Sequence, residues 1–62
     1  MKFVFNRMQS GYWGRTLLNK QIVIKAVNED EARSKVNLRK DSYKRLRNGD
    51  TLSWSLVDTI AD

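Results

Sequence analysis

Three stretches of the chain alternate apolar and polar residues, and this alternation limits the fold more than any other feature. The stretches are KFVFNR (residues 2–7), QIVIKAV (21–27) and TLSWSLV (51–57). Successive side chains of a β-strand point to opposite faces of a sheet, so each stretch predicts a half-buried strand. Three such strands are enough for a sheet that packs a helix against one face. The predicted inward side chains are Phe3, Phe5, Ile22, Ile24, Ala26, Leu52, Trp54 and Leu56.

Between the second and third strands the pattern becomes that of a helix, which we predict over residues 29–47. Asn28 is a good N-cap, and Glu31 stands three residues later as its capping-box partner. Basic residues fill the last predicted turn, and Gly49 follows as a C-cap glycine. The Asn-Gly pair also suits a hairpin turn, but the alternation before it is poor, so we prefer the C-cap.

The charges of this helix define a candidate binding face. Projected at 100° per residue, one side carries an apolar stripe that faces the core. A basic row lies beside the stripe and consists of Arg33, Lys40, Lys44 and Arg47. Residues 33–47 hold seven basic residues and one acid, a charge of +6, whereas the whole chain carries +5. The rest of the chain therefore sums to −1, and the positive potential belongs to this one element.

One residue disagrees with a continuous helix. Arg39 projects into the apolar stripe, which also holds Tyr43, while Leu38 projects to the opposite side. Either the helix breaks near Lys40, so that a second short helix returns Leu38 to the core, or Arg39 lies at the edge with its head in water. We favour the break.

These elements predict an α+β fold in a single domain that spans residues 1–62. Its order is β-β-α-β, with a three-stranded, mainly antiparallel sheet and one helix packed on one face. A chain of 62 residues buries only about 60% of its unfolded surface, so its stability is small.

Composition excludes most catalytic chemistry. The chain has no cysteine and no histidine, which removes disulfides, thiolate metal sites, the usual zinc ligand and the usual proton shuttle. The glycines match no phosphate-binding loop. We therefore expect no enzyme, no metal, no cofactor and no small-molecule substrate. No apolar run is long enough for a membrane span and no signal peptide is evident, so we expect a cytoplasmic protein without membrane contact.

The stretch SGYWGR, residues 10–15, contains the two aromatic residues that no periodic pattern explains. Tyr12 and Trp13 lie in the predicted connection between the first two strands, with a glycine on each side. One interpretation is a lid, in which Trp13 folds back over an open end of the sheet. The other is a contact residue that stacks on a base or anchors a partner, with Arg15 as a phosphate or cation–π group.

A basic face and an aromatic loop favour a small binding protein, most simply one that binds nucleic acid. The candidate contact residues are Tyr12, Trp13, Arg15, Arg33, Arg39, Lys40, Lys44 and Arg47. An alternative is an inhibitor or adaptor that binds an acidic surface of a host protein, such as a nucleic-acid-processing enzyme. A second alternative is a structural homo-oligomer, or homodimer, joined through open edge strands.

The chain also resembles the small accessory proteins of tailed bacteriophages. The resemblance concerns organisation alone: a β-β-α-β unit read from KFVFNR, QIVIKAVNEDEARSKV and RLRNGDTLSWSLV, without Cys, His or Pro. Some of these phage proteins bind host polymerases, nucleases or toxins and switch them off. The resemblance implies a bacterial host cell and supports the host-protein alternative, and it transfers no functional residue.

Overall fold

The structure, a computed structural model that describes residues 1–61, consists of one antiparallel sheet and one helix. The elements are β1 (Lys2–Gly11), β2 (Gly14–Lys25), α1 (Glu29–Asn37), β3 (Lys44–Arg45) and β4 (Thr51–Ile60). The strands lie in the order β2-β1-β4-β3. The predicted α+β class, with an antiparallel sheet and one helix, is confirmed. The predicted strand number is wrong, because residues 44–45 pair with β4 and add a fourth strand.

The core lies where α1 covers the centre of the sheet. Phe3 and Phe5 of β1 pack with Trp54 of β4, and Phe5 is 1% exposed. Ala26, directly after β2, and Ala32 and Val36, on the inner side of α1, complete the cluster. The half-buried residues around it are Ile22, Ile24 and Leu56. The inward side chains predicted from alternation are therefore correct except for Leu52, which lies outside this cluster.

The central strand β1 is buried more completely than its alternation predicts. Val4, Asn6 and Arg7 are all less than a tenth exposed, although they do not share one face. The β1–β2 register shifts between Asn6 and Met8, and the Asn6 amide fills this irregularity. Its Nδ2 donates to the carbonyl oxygens of Leu18 (2.7 Å) and Arg7 (2.9 Å). A buried polar side chain is thus satisfied by backbone that the bulge leaves unpaired.

Helix α1 begins where predicted and ends ten residues earlier than predicted, at Asn37 instead of residue 47. Asn28 is the N-cap, and its Oδ1 accepts a hydrogen bond from the Glu31 backbone N at 2.9 Å. Neither the continuous helix nor the second short helix is present. Leu38 is 85% exposed and Tyr43 is 58% exposed, so their predicted places in the core are wrong.

The segment after the helix is held to the sheet by the backbone of Asp41. The Asp41 carbonyl oxygen accepts hydrogen bonds from Trp54 Nε1, at 3.1 Å, and from Arg7 Nη1. The Arg7 guanidinium lies over the Trp54 ring, 4.7 Å from its centre. A helix through residue 41 would direct this carbonyl along its own axis, so these contacts favour an irregular loop.

The Asn-Gly pair forms a hairpin turn between β3 and β4, which corrects the predicted C-cap. Leu46 N donates to Asp50 O (2.7 Å), and Gly49 N donates to Leu46 O (3.1 Å). Gly49 has φ 93°, in the left-handed region that glycine adopts without strain. This is a three-residue loop in which a tight turn is followed by a left-handed glycine. Alternation before the turn looked poor because β3 is only two residues long.

Candidate functional site

The aromatic tip, Tyr12 and Trp13, is a two-residue connection at the far end of the β1–β2 hairpin. Gly11 and Gly14 pair across the strands immediately before and after it. The side chains of Tyr12 and Trp13 are 91% and 95% exposed. Their rings meet edge to face, with centres 5.0 Å apart. The lid interpretation is therefore wrong, because Trp13 covers no part of the sheet, and both rings are accessible to a partner.

The predicted basic row does not exist as a helix face. Only Arg33 lies on α1, and it pairs with Glu29 on the same helix at 3.7 Å. Lys40 is exposed in the loop after α1, Lys44 lies in β3, and Arg47 lies in the β3–β4 turn. The predicted row came from projecting residues 33–47 as one helix, whereas its four residues lie in a helix, a loop, a strand and a turn.

The sheet register brings other cations together at the end that carries the aromatic tip. Ser10 of β1 lies opposite Arg15 of β2 and Thr51 of β4, and Thr51 lies opposite Arg45 of β3. Directly opposed residues share a face, so Arg15 and Arg45 stand in one row across the sheet. Three strand spacings of about 4.8 Å place them roughly 14 Å apart.

We define the basic end as Arg15, Lys44, Arg45 and Arg47. Within the described part of the chain, none of these four cations forms an ion pair. All four are exposed. Arg45 was missed because it was projected with the 3.6-residue period of a helix, whereas it lies on a strand, where faces alternate every two residues.

A groove separates the aromatic tip from the β3–β4 turn. Its volume is about 440 Å³. The lining residues are Gln9, Gly11, Tyr12, Trp13, Gly14, Thr16, Asn48 and Asp50. We call it the tip groove. The polar residues Gln9, Asn48 and Asp50 carried no signal in the sequence, since strand pairing brings together residues about forty positions apart.

Arg39, another predicted contact residue, belongs to the Asp41 loop instead. Its Nε donates to Asp41 Oδ1 at 2.9 Å and its Nη2 to Asp41 Oδ2 at 3.3 Å. Its guanidinium also approaches the Trp54 ring, 5.8 Å from the centre. Arg39 therefore steadies the loop, and its charge is already paired.

The Asp41–Arg39 pair predicts a specific pH dependence. The hydrogen bond from Arg39 holds the pKa of the Asp41 carboxyl below its usual range. A carboxyl whose pKa is lowered on folding stabilises the native state above its unfolded pKa, and this contribution is lost as the pH falls through the folded pKa. Arg39→Gln should therefore be less stable than the wild type at neutral pH, and the difference should vanish in strong acid.

Carboxyl-carbon NMR titration checks this directly. The Asp41 midpoint should lie below that of an unpaired aspartate and should rise in Arg39→Gln. An Asp41 midpoint that does not move in the variant would contradict the assignment.

Comparisons with protein-family models, with curated proteins and with solved structures found no match for this chain. The resemblance to small phage proteins stays a prediction. Within residues 1–61, no helix is long and apolar enough to cross a membrane.

Proposed function

We propose that the protein binds single-stranded nucleic acid through the aromatic tip and the basic end. The observation that supports this most directly is the nearly complete exposure of Trp13 and Tyr12 beside unpaired cations. Base–aromatic stacking contributes about 1–3 kcal/mol per base and tolerates any sequence, because every base has a π-face. The basic end supplies the phosphate contacts that such proteins combine with stacking.

Two features favour a single strand over a duplex. Stacking on an aromatic side chain needs an unpaired base, which a single strand provides and an intact duplex does not. A major-groove reader would need a basic recognition helix. Helix α1 has only nine residues, opens with three acids, and pairs Arg33 and Lys35 with its own glutamates.

A salt titration tests the phosphate contacts. Fluorescence anisotropy of labelled oligonucleotides of ~12 nucleotides should show saturable binding that weakens linearly in a log–log plot against salt. Each phosphate contact on a single strand contributes a slope of about −0.7. Lys44→Gln/Arg45→Gln should therefore bind more weakly, with a slope shallower by roughly 1.4.

The matched control removes the same charge at the opposite end of the sheet. Lys2 and Lys25 pair with each other across β1 and β2, and both are exposed. Lys2→Gln/Lys25→Gln should keep the wild-type slope. If both double variants lost the same affinity, the effect would come from net charge and not from the basic end. An absence of saturable binding at low salt would overturn the proposal.

An acidic protein surface is the second candidate. The edge strands β2 and β3 carry five charged residues, all of them basic: Arg15, Lys20, Lys25, Lys44 and Arg45. This charge opposes edge-to-edge pairing of two copies and suits an acidic partner strand. If oligonucleotides fail to bind, capture of a defined protein from nuclease-treated bacterial lysate, lost in Trp13→Ala, would favour this candidate.

A further inference from the structure

Asp50 borders the tip groove with one of its carboxylate oxygens already occupied. Its Oδ2 accepts from Gln9 Nε2 at 2.8 Å and from Asn48 Nδ2 at 3.4 Å. Its backbone N donates to Asn48 Oδ1 at 3.0 Å. Two amides and the turn backbone therefore fix the position of this acid between β1 and β4.

The other oxygen, Asp50 Oδ1, has no hydrogen-bond partner among residues 1–61. Every buried side-chain nitrogen or oxygen in the described chain has a hydrogen-bond partner. Because Oδ1 has none, it is accessible. A Cβ at Gly11 would lie 2.3 Å from Oδ1, so a side chain at this position would displace the carboxylate. The Asp50 carboxylate thus occupies the space beside Gly11, where Oδ1 is a hydrogen-bond acceptor at the tip groove.

Gln9 adds a second hydrogen-bond acceptor to the tip groove. An ionised carboxylate only accepts hydrogen bonds, so the Gln9 amide must turn its nitrogen to Asp50. Its Oε1 then faces away and carries no hydrogen bond. The unbonded oxygens of Gln9 and Asp50 are consequently both acceptors, and Asp50 is the one ionised side chain among the residues that line the groove. An N–H donor of a ligand is favoured beside these oxygens, and a phosphate is repelled by the carboxylate.

We propose that the tip groove binds a nucleobase that carries an exocyclic amino group, and that this group donates to Asp50 Oδ1. The base lies beside the aromatic tip, and its phosphate lies toward Lys44, the member of the basic end that shares a face with Gln9 because both residues pair with Leu52. This inference rests on the proposed function, because the base is presented by a bound single strand. It adds selectivity: cytosine offers an N4 amino donor where uracil offers an O4 acceptor, which faces a repelling oxygen.

Competing oligonucleotides that differ only in this group test the selectivity. Deoxycytidine and deoxyuridine oligomers of ~12 nucleotides should differ in affinity by roughly fivefold or more, in favour of cytosine. Deoxyadenosine against deoxyinosine oligomers repeats the comparison in purines and should show the same direction. Asp50→Asn places a donor in the groove, so the cytosine preference should fall to parity or reverse.

Asp58→Asn is the matched control, since it removes one acid from β4 at the other end of the strand. It should raise both affinities slightly and leave their ratio unchanged. Absence of binding to every oligomer would overturn the proposed function itself. Equal binding of the cytosine and uracil oligomers, or a preference that Asp50→Asn does not alter, would overturn the groove assignment while the proposed function stands.

Discussion

Replacing Tyr12 and Trp13 together by alanine should weaken binding of single-stranded nucleic acid by about tenfold or more and leave the fold intact. Loss of stacking on one base costs about 1–3 kcal/mol, and the double variant removes both rings of the aromatic tip. Because the two side chains are 91% and 95% exposed, the free energy of unfolding should change by less than about 0.5 kcal/mol. Anisotropy titration and urea unfolding measure the two quantities separately.

The control for this variant is another exposed apolar side chain that belongs to neither the aromatic tip nor the tip groove. Leu38, in the loop after α1, is 85% exposed. Leu38→Ala should keep both the affinity and the stability of the wild type. If the tip variant lost stability in parallel with affinity, the rings would have to be part of the folded core. Unchanged affinity would exclude the aromatic tip from the interface.

The strands and the start of the helix could be predicted because their signals are local. Period-2 alternation identified the inner faces of β1, β2 and β4, and the Asn28 cap depends on contacts only three residues apart. A sequence pattern predicts an element correctly when the residues of the pattern also make the contacts that stabilise that element. The exposure of Tyr12 and Trp13 followed the same logic in part, since no strand face had a place for them.

The segment from Leu38 to Asp50 was mispredicted because its conformation is set by distant residues. Asp41 O bonds with Arg7, 34 positions away, and with Trp54, 13 positions away. No helical projection contains those partners. Asn, Asp and Ser in this segment favour turns by bonding to nearby backbone, and that weak preference agreed with the outcome.

The candidate site was half predicted for the same reason. The aromatic tip lies within one turn of the sequence, whereas the row from Arg15 to Arg45 needs the pairing of all four strands. Asp50 follows the glycine that was predicted as a C-cap, yet its carboxylate meets Gln9, 41 positions away. The residues that give the groove its polarity become visible only once β1 and β4 are aligned.

Trp54→Ala should remove a large part of the free energy of unfolding, in contrast to Trp13→Ala. Removing a buried tryptophan costs about 3–5 kcal/mol. Stability of about 0.05–0.15 kcal/mol per residue gives only roughly 3–9 kcal/mol for 62 residues. Trp54 also donates to Asp41 O and lies under the Arg7 guanidinium, so the loop after α1 loses its attachment as well. Circular dichroism and urea unfolding give the measurement.

Trp54→Phe separates packing from the hydrogen bond. Phenylalanine keeps a ring against Arg7 but has no N–H for Asp41 O, so we expect a loss of about 1 kcal/mol and a folded protein. Hydrogen exchange should then rise in the loop after α1 more than in β1. A Trp54→Ala protein as stable as the wild type would contradict the assignment of this residue to the core.

In the Trp54→Phe protein Trp13 is the only tryptophan, so its emission should be that of a solvated indole and should change on binding an oligonucleotide. Binding that leaves this emission unchanged would place the nucleic acid away from the aromatic tip.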